Sequence, residues 1–167
     1  PQTTRNRIQS ILTEPDFQIV FIDTPGIHKP KHKLGQYMVR VAERTLNEVD
    51  IVLFLVEAKH RVQPEDMEII EKLNSVKTPV FLLINKIDTV EKSEVLGMID
   101  RYKGLYDFKE IIPISALTGE NREELMDSIR KHLPEGPQYF PEDMITDQPE
   151  KQITAEIIRE KTLHLLE

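Results

Sequence analysis

Asn85-Lys86-Ile87-Asp88 closes the apolar run Pro79-Val80-Phe81-Leu82-Leu83-Ile84, and so delivers an amide, an ammonium and a carboxylate to the carboxyl end of a buried strand. Open α/β sheets bind their ligands at that end. A carboxylate accepts two hydrogen bonds side by side, which suits the ring N–H and exocyclic amine of guanine. The edge of adenine is mismatched and would leave the carboxylate unpaired. Asp88 is therefore expected to choose GTP over ATP. Asn85 is expected to tie neighbouring loops together through its amide. Lys86 is expected to lay its methylene stem along the base plane with its ammonium in water. Taken alone, the four residues fit polar turn chemistry at a strand end equally well.

Two further stretches have the same setting. Asp23-Thr24-Pro25-Gly26, with Ile27 after it, follows the strand formers Phe17-Gln18-Ile19-Val20-Phe21-Ile22. A hard carboxylate at Asp23 suits Mg²⁺ held through a water, and Gly26, without a Cβ, lets its N–H approach a terminal phosphate closely. The competing reading is a Pro-Gly turn with an Asx cap. Ser115-Ala116-Leu117 follows Ile111-Ile112-Pro113-Ile114. There the Ala116 N–H is expected to donate to the guanine carbonyl oxygen while Ser115 steadies the loop. Asp23, Thr24, Pro25, Gly26, Ile27, Asn85, Lys86, Asp88, Ser115, Ala116 and Leu117 are thus the expected nucleotide-binding residues.

In this order, each at the end of an apolar strand, the three stretches resemble the guanine-nucleotide-binding loops of translation-factor-like GTPases. The resemblance narrows to the Era GTPases. Pro1-Gln2-Thr3-Thr4-Arg5-Asn6-Arg7 is similar to their first switch and Asp23-Thr24-Pro25-Gly26-Ile27-His28-Lys29-Pro30 to their second. Lys131 to Pro137, Phe140 to Asp143, Ile145 to Asp147 and Glu156 to Lys161 are similar to the linker and opening helix of a KH-type RNA-binding domain. The resemblance implies a P-loop NTPase-like α/β fold, GTP hydrolysis with GTP/GDP and Mg²⁺, and binding of small-subunit ribosomal RNA in ribosome assembly. It makes Thr4, with Thr3 as the alternative, the switch threonine that meets Mg²⁺ beside Asp23. It also implies a monomeric, cytoplasmic protein with peripheral association at the inner face of the cell membrane. Ile27 stands where Ras-type enzymes carry a water-orienting Gln. The Era family shares this aliphatic replacement, so another group must place the water and intrinsic turnover is expected to be slow.

Neither G-x-x-x-x-G-K-[ST], the loop that cradles phosphates, nor the Gly-x-x-Gly loop of a KH domain occurs in the 167 residues. The chain therefore reads as an Era-type protein lacking its first strand and phosphate loop and cut within the KH-type region. Residues 1–133 are expected to form an incomplete GTPase domain, 134–150 a linker, and 151–167 the first helix of the second domain. Two alternatives stay open: a related GTPase acting in tRNA modification or at a membrane, and a non-enzymatic interaction module.

A net charge of −7 argues against this stretch being the main nucleic-acid surface, since affinity for phosphate backbones comes from clustered Lys and Arg. The basic cluster His28-Lys29-Pro30-Lys31-His32-Lys33 is the local exception. Hydrophobic residues at 39% suffice for one core, no apolar stretch is long enough to cross a bilayer, and the lack of Cys removes disulfides and thiolate metal sites.

The elements that must position these residues follow from periodicity. Residues 7–13 and 17–22 flank Glu14-Pro15-Asp16 as a hairpin, and the remainder alternates strand and helix, which predicts a mostly parallel sheet. Ile51 to Val56 reads as a central strand buried on both faces. Helical stripes run through Leu34, Met38, Val41, Thr45 and Leu46; through Met67, Ile70 and Leu73 after Pro64; through Val95, Ile99 and Tyr102; and through Leu125, Ile129 and Leu133. The methionines in these stripes are expected in the core. A further helix from about Lys151 carries Ile153, Ile157, Ile158 and Leu165.

Overall fold

The computed structural model describes residues 8–23, 46, 48–146, 148, 153–155, 157–158 and 161–162. The expected switch residues Thr3 and Thr4, the stretch Thr24-Pro25-Gly26-Ile27, the basic cluster at 28–33 and the helical stripe from Leu34 to Thr45 lie outside them. The chain divides into two compact units, Ile27–Glu135 and Pro1–Gly26 with Gly136–Glu167.

In the second of these, β1 (Ile8–Glu14) and β2 (Phe17–Asp23) form an antiparallel hairpin turned at Pro15-Asp16, in register from Ile8 opposite Asp23 to Glu14 opposite Phe17. Pro at the turn fixes φ and removes a donor that the ladder does not need there. Ile11 and Ile19 are buried. The segment around Ile145 and Thr146 lies along the other edge of β1. The Ile11 N–H donates to the Ile145 carbonyl at 2.8 Å, Ser10 bridges Thr146, and the Thr146 hydroxyl donates to the Gln9 carbonyl at 2.6 Å. Gln18 of β2 clasps the chain further back. Its Oε1 accepts from the Tyr139 and Phe140 N–H groups, each at 3.0 Å, and its Nε2 donates to the Phe140 carbonyl at 3.0 Å and to Thr13 Oγ1 at 2.8 Å. The described residues between 153 and 162 are helical, with Ile153, Ile157 and Ile158 exposed.

The other unit is built on a parallel sheet of order β3 (Val52–Glu57), β4 (Val80–Asn85), β5 (Glu110–Pro113). Three helices follow the strands in turn: α1 (Pro64–Leu73), α2 (Lys92–Lys103) and α3 (Arg122–His132). Pro64 sits at the first turn of α1, where its missing N–H has no intrahelical partner to lose. Asp66 Oδ2 accepts from the Gln63 N–H at that helix start and from the Tyr102 hydroxyl of α2 at 2.7 Å, joining the two helices. In α3 the first-turn Glu123 and Glu124 and the last-turn Arg130, Lys131 and His132 each complement the helix dipole.

One face of the sheet, carrying Phe54, Val56, Leu82 and Ile84, packs with Ile70 and Leu73 of α1 and Val95, Met98 and Tyr102 of α2. On the other face the Phe81 ring meets the edge of His132 of α3 at 5.1 Å. Residues 80–84 of β4 are all 2% exposed or less. Each such side chain contributes about 1.5–3 kcal/mol of burial, so β4 fixes the sheet.

Two expectations need correction. The strand buried on both faces is β4 and not β3: Val52, Phe54 and Val56 are buried, whereas Leu53 is half-buried and Leu55 is 54% exposed. Among the described residues β3 pairs only with β4, and α3 covers the second face at β4 and β5. Met67 is 37% exposed rather than in the core. The inward stripe of α1 is Asp66, Ile69, Ile70 and Leu73, because the Asp66 bond to Tyr102 turns that face toward α2 and leaves Met67 at the rim. Met98, outside the expected stripes, is buried at 1% exposure. Among the described residues no helix is long and apolar enough to cross a membrane.

Candidate functional site

Parallel pairing places three strand ends side by side. Glu57 lies opposite Asn85 and Pro113 opposite Ile84, so the residues that follow β4 and β5 leave the sheet at one edge. Backbone bonds then draw the two loops together, Ile114 N–H to the Ile84 carbonyl at 2.8 Å and Ile87 N–H to the Ile114 carbonyl at 3.3 Å.

Asn85 Oδ1 accepts from the Lys86 N–H at 2.8 Å and from the Ala116 N–H at 3.0 Å. One amide thus spans both loops. Lys86 takes the left-handed conformation at φ 66°, uncommon for a residue with a Cβ, and the Asn85 side chain that holds its N–H stabilises that turn. The turn feeds a 3₁₀ segment, Ile87–Thr89, locked by Thr89 Oγ1 on the Lys86 carbonyl at 2.7 Å. Ile87 is buried and Asp88 points outward.

Ser115 is a buried polar residue, 1% exposed. Its hydroxyl donates to Asp88 Oδ1 and accepts from the Thr118 N–H at 3.1 Å. The following turn closes with the Gly119 N–H on the Ser115 carbonyl at 2.8 Å, and Gly119 takes φ 81°, where a Cβ would be strained. Asn121, also left-handed, donates its side-chain amide to the Pro113 carbonyl at 2.8 Å and starts α3. Asp88 also borders a shallow hollow with His60, Thr89, Val90, Glu91 and Glu94.

Three features depart from the expectations. The Lys86 ammonium pairs with Glu57 Oε1 at 2.7 Å instead of standing alone in water, because the strand register brings a carboxylate to it. The Ala116 N–H is engaged by Asn85, so a base oxygen there would have to share it. The Leu117 side chain is 86% exposed and packs on no part of the core, unlike the buried Ser115 two residues before it. Glu57, Thr118 and Gly119 escaped the sequence reading. Aligning the equal-length strands β3 and β4 end to end would have found Glu57, and a Gly four residues after Ser115 marks the turn. Asp23 ends β2 as an exposed carboxylate in the other compact unit. Among the described residues no group of three or more His, Asp or Glu is placed to hold a metal ion.

A carboxylate steadied by a buried serine, on a turn stapled by an asparagine, makes a rigid polar corner whose parts come from two strand ends. Residues 3–135 match the model of the elongation factor Tu GTP binding domain. The chain belongs to that GTP-binding domain family. Within it, the chain is 59% identical to GTPase Era of Alkaliphilus metalliredigens (strain QYMF) over 170 residues, which cover all of this chain and 57% of that protein. It superposes at a TM-score of 0.90 and 44% identity on Era in complex with MgGDPNP and nucleotides 1506–1542 of 16S ribosomal RNA, over 96% of this chain and 55% of that one. An Era variant from Aquifex aeolicus bound to GDP.AlF4- gives the same TM-score and identity, over 98% of this chain and 56% of that one. The Era likeness read from the sequence is thereby borne out, and the GTP-binding domain has the P-loop GTPase fold, a mostly parallel sheet with flanking helices. The chain spans just over half the length of these relatives.

Proposed function

We propose that this chain is the guanine-nucleotide-binding part of an Era-like GTPase that binds and hydrolyses GTP. The observation that carries the reading is the Asn85, Asp88, Ser115 and Ala116 network, which holds an outward carboxylate on a rigid turn at the carboxyl edge of a parallel sheet. The donor set fits the nucleotide: Asp88 reads the guanine edge, Lys86 covers the base plane, and the Ala116 N–H is shared with the base oxygen. Asp23 would hold Mg²⁺ through a water with the Thr4 hydroxyl, with Thr3 as the alternative, and Gly26 would meet the terminal phosphate. The ion neutralises phosphate charge, while this chain's residues position the nucleotide and exclude other bases. Ile27 cannot orient the attacking water, since an aliphatic side chain neither donates nor accepts a hydrogen bond.

The reading extends to small-subunit ribosomal RNA, on the strength of the Era complex with 16S nucleotides. We place that contact chiefly in a KH-type domain opening near residue 151, given the −7 net charge of this chain, and assign the whole protein to ribosome assembly. A monomer in the cytoplasm, with peripheral contact at the inner membrane face, completes the proposal.

The test is competition binding with the full-length protein. GTP and GDP should displace a fluorescent guanine nucleotide and ATP should not. Asp88→Asn should lose roughly ten- to hundredfold in guanine affinity and gain preference for xanthine nucleotides, because a mismatched hydrogen bond costs about 1–3 kcal/mol. Unchanged base preference in that variant would sink the assignment.

A further inference from the structure

The Glu57 carboxylate ends β3 directly opposite Asn85, and it spans two ammonium groups, one on each oxygen. Lys86 Nζ lies 2.7 Å from Oε1 and Lys59 Nζ 2.8 Å from Oε2. The ladder continues past it, with the Ala58 N–H on the Asn85 carbonyl at 2.8 Å, so the backbone that carries Glu57 is fixed to the backbone that carries the base-reading turn. Lys59 occupies the far oxygen, and Oε1 is left to Lys86. The two lysines together draw the Glu57 carboxyl down to about 2.

A lysine on a left-handed turn, at a half-exposed position, has many rotamers open to it. Such a side chain covers a base only when something holds its far end. We infer that Glu57 is a positioning residue for nucleotide binding, which tethers the Lys86 ammonium so that its methylene stem lies across the face of the guanine base. This inference rests on the guanine-site reading. Glu57 touches no base and reads no edge. It acts through Lys86 alone, by lowering the entropy lost when the stem packs on the ring. The tether is therefore indifferent to the exocyclic amine that Asp88 recognises.

The experiment is stopped-flow dissociation of fluorescent GDP and of the matching inosine diphosphate from the full-length protein. Glu57→Ala should speed GDP release about two- to fivefold, the range of an exposed ion pair. Inosine diphosphate, which lacks the exocyclic amine, should speed up by the same factor. In a Lys86→Met background Glu57→Ala should add nothing, since a residue acting only through Lys86 has nothing left to act on. Lys59→Ala should leave release unchanged. Glu57→Gln, of the same size but uncharged, carries the same comparison should the alanine variant fail to fold. An unchanged rate in Glu57→Ala or Glu57→Gln, an equal acceleration in the Lys86→Met background, or an effect confined to GDP each overturns the inference while leaving the guanine site standing. Failure of the parent protein to bind GDP overturns both.

Discussion

At the scale of single residues, the site is a set of short hydrogen bonds whose endpoints differ in how visible they were. Asp88, Asn85 and Ser115 could be read from the chain, because their types and their place after apolar runs have a chemical meaning of their own. Glu57 was missed, because its meaning lies in a partner 29 positions away and emerges only when the two strands are aligned end to end. The same pairing gives a measurable pH signature. Lys59 first, and then Lys86, hold the Glu57 carboxyl at about 2 against an ordinary 4.5. A carboxyl lowered on folding contributes stability above its unfolded value, and that contribution fades as pH falls toward the folded one. The expected outcome is a Glu57 side-chain carboxyl carbon that shows no titration step near pH 4 by NMR, and that regains one in the Lys59→Ala, Lys86→Ala double variant. A normal midpoint in the parent protein would mean that the two lysines do not hold the carboxylate in solution.

At the scale of elements, periodicity located the strands and helices, and packing partners decided which face of each is inside. The stripe in α1 was misread at Met67 because a polar residue, Asp66, belongs to the inner face. Its carboxylate serves both the start of its own helix and the Tyr102 hydroxyl. Apolar patterning alone cannot flag that. Burial first, and then Asp66, push the Tyr102 phenol well above its usual range, so it remains a donor throughout the physiological range. Tyr102→Phe keeps the ring and removes only that bond, and is expected to cost about 1–2 kcal/mol in chemical denaturation. A loss within a few tenths would show that the helix pair does not depend on it. In the hairpin unit, Gln18 offers a parallel case. Gln18→Ala removes three bonds to residues 139 and 140, and amide exchange at Tyr139 and Phe140 should accelerate by about tenfold or more. Unaltered protection there would show that the segment is held by Thr146 and Ile145 alone.

For the whole molecule, the sequence contains no phosphate-cradling G-x-x-x-x-G-K-[ST] stretch, and β3 pairs on one side only among the described residues. An apolar strand with an unpaired edge invites association. A protein consisting of these 167 residues is accordingly expected to give no stable monomer and no GDP binding by calorimetry. A cooperative thermal transition with micromolar GDP affinity in the isolated monomer would refute this. The two compact units also differ in how they are threaded. Residues 27–135 are a continuous stretch, whereas the hairpin unit takes its strands from one side of that stretch and its clasp from the other. On a ribosome the two would therefore mature at different times. Gln18 meets Phe140 122 residues later in synthesis, which at about 5–20 residues per second is a wait on the order of ten seconds. For that interval the nascent hairpin has β1's outer edge bare, and the Asp88 corner gains its last residue, Asn121, before the wait ends.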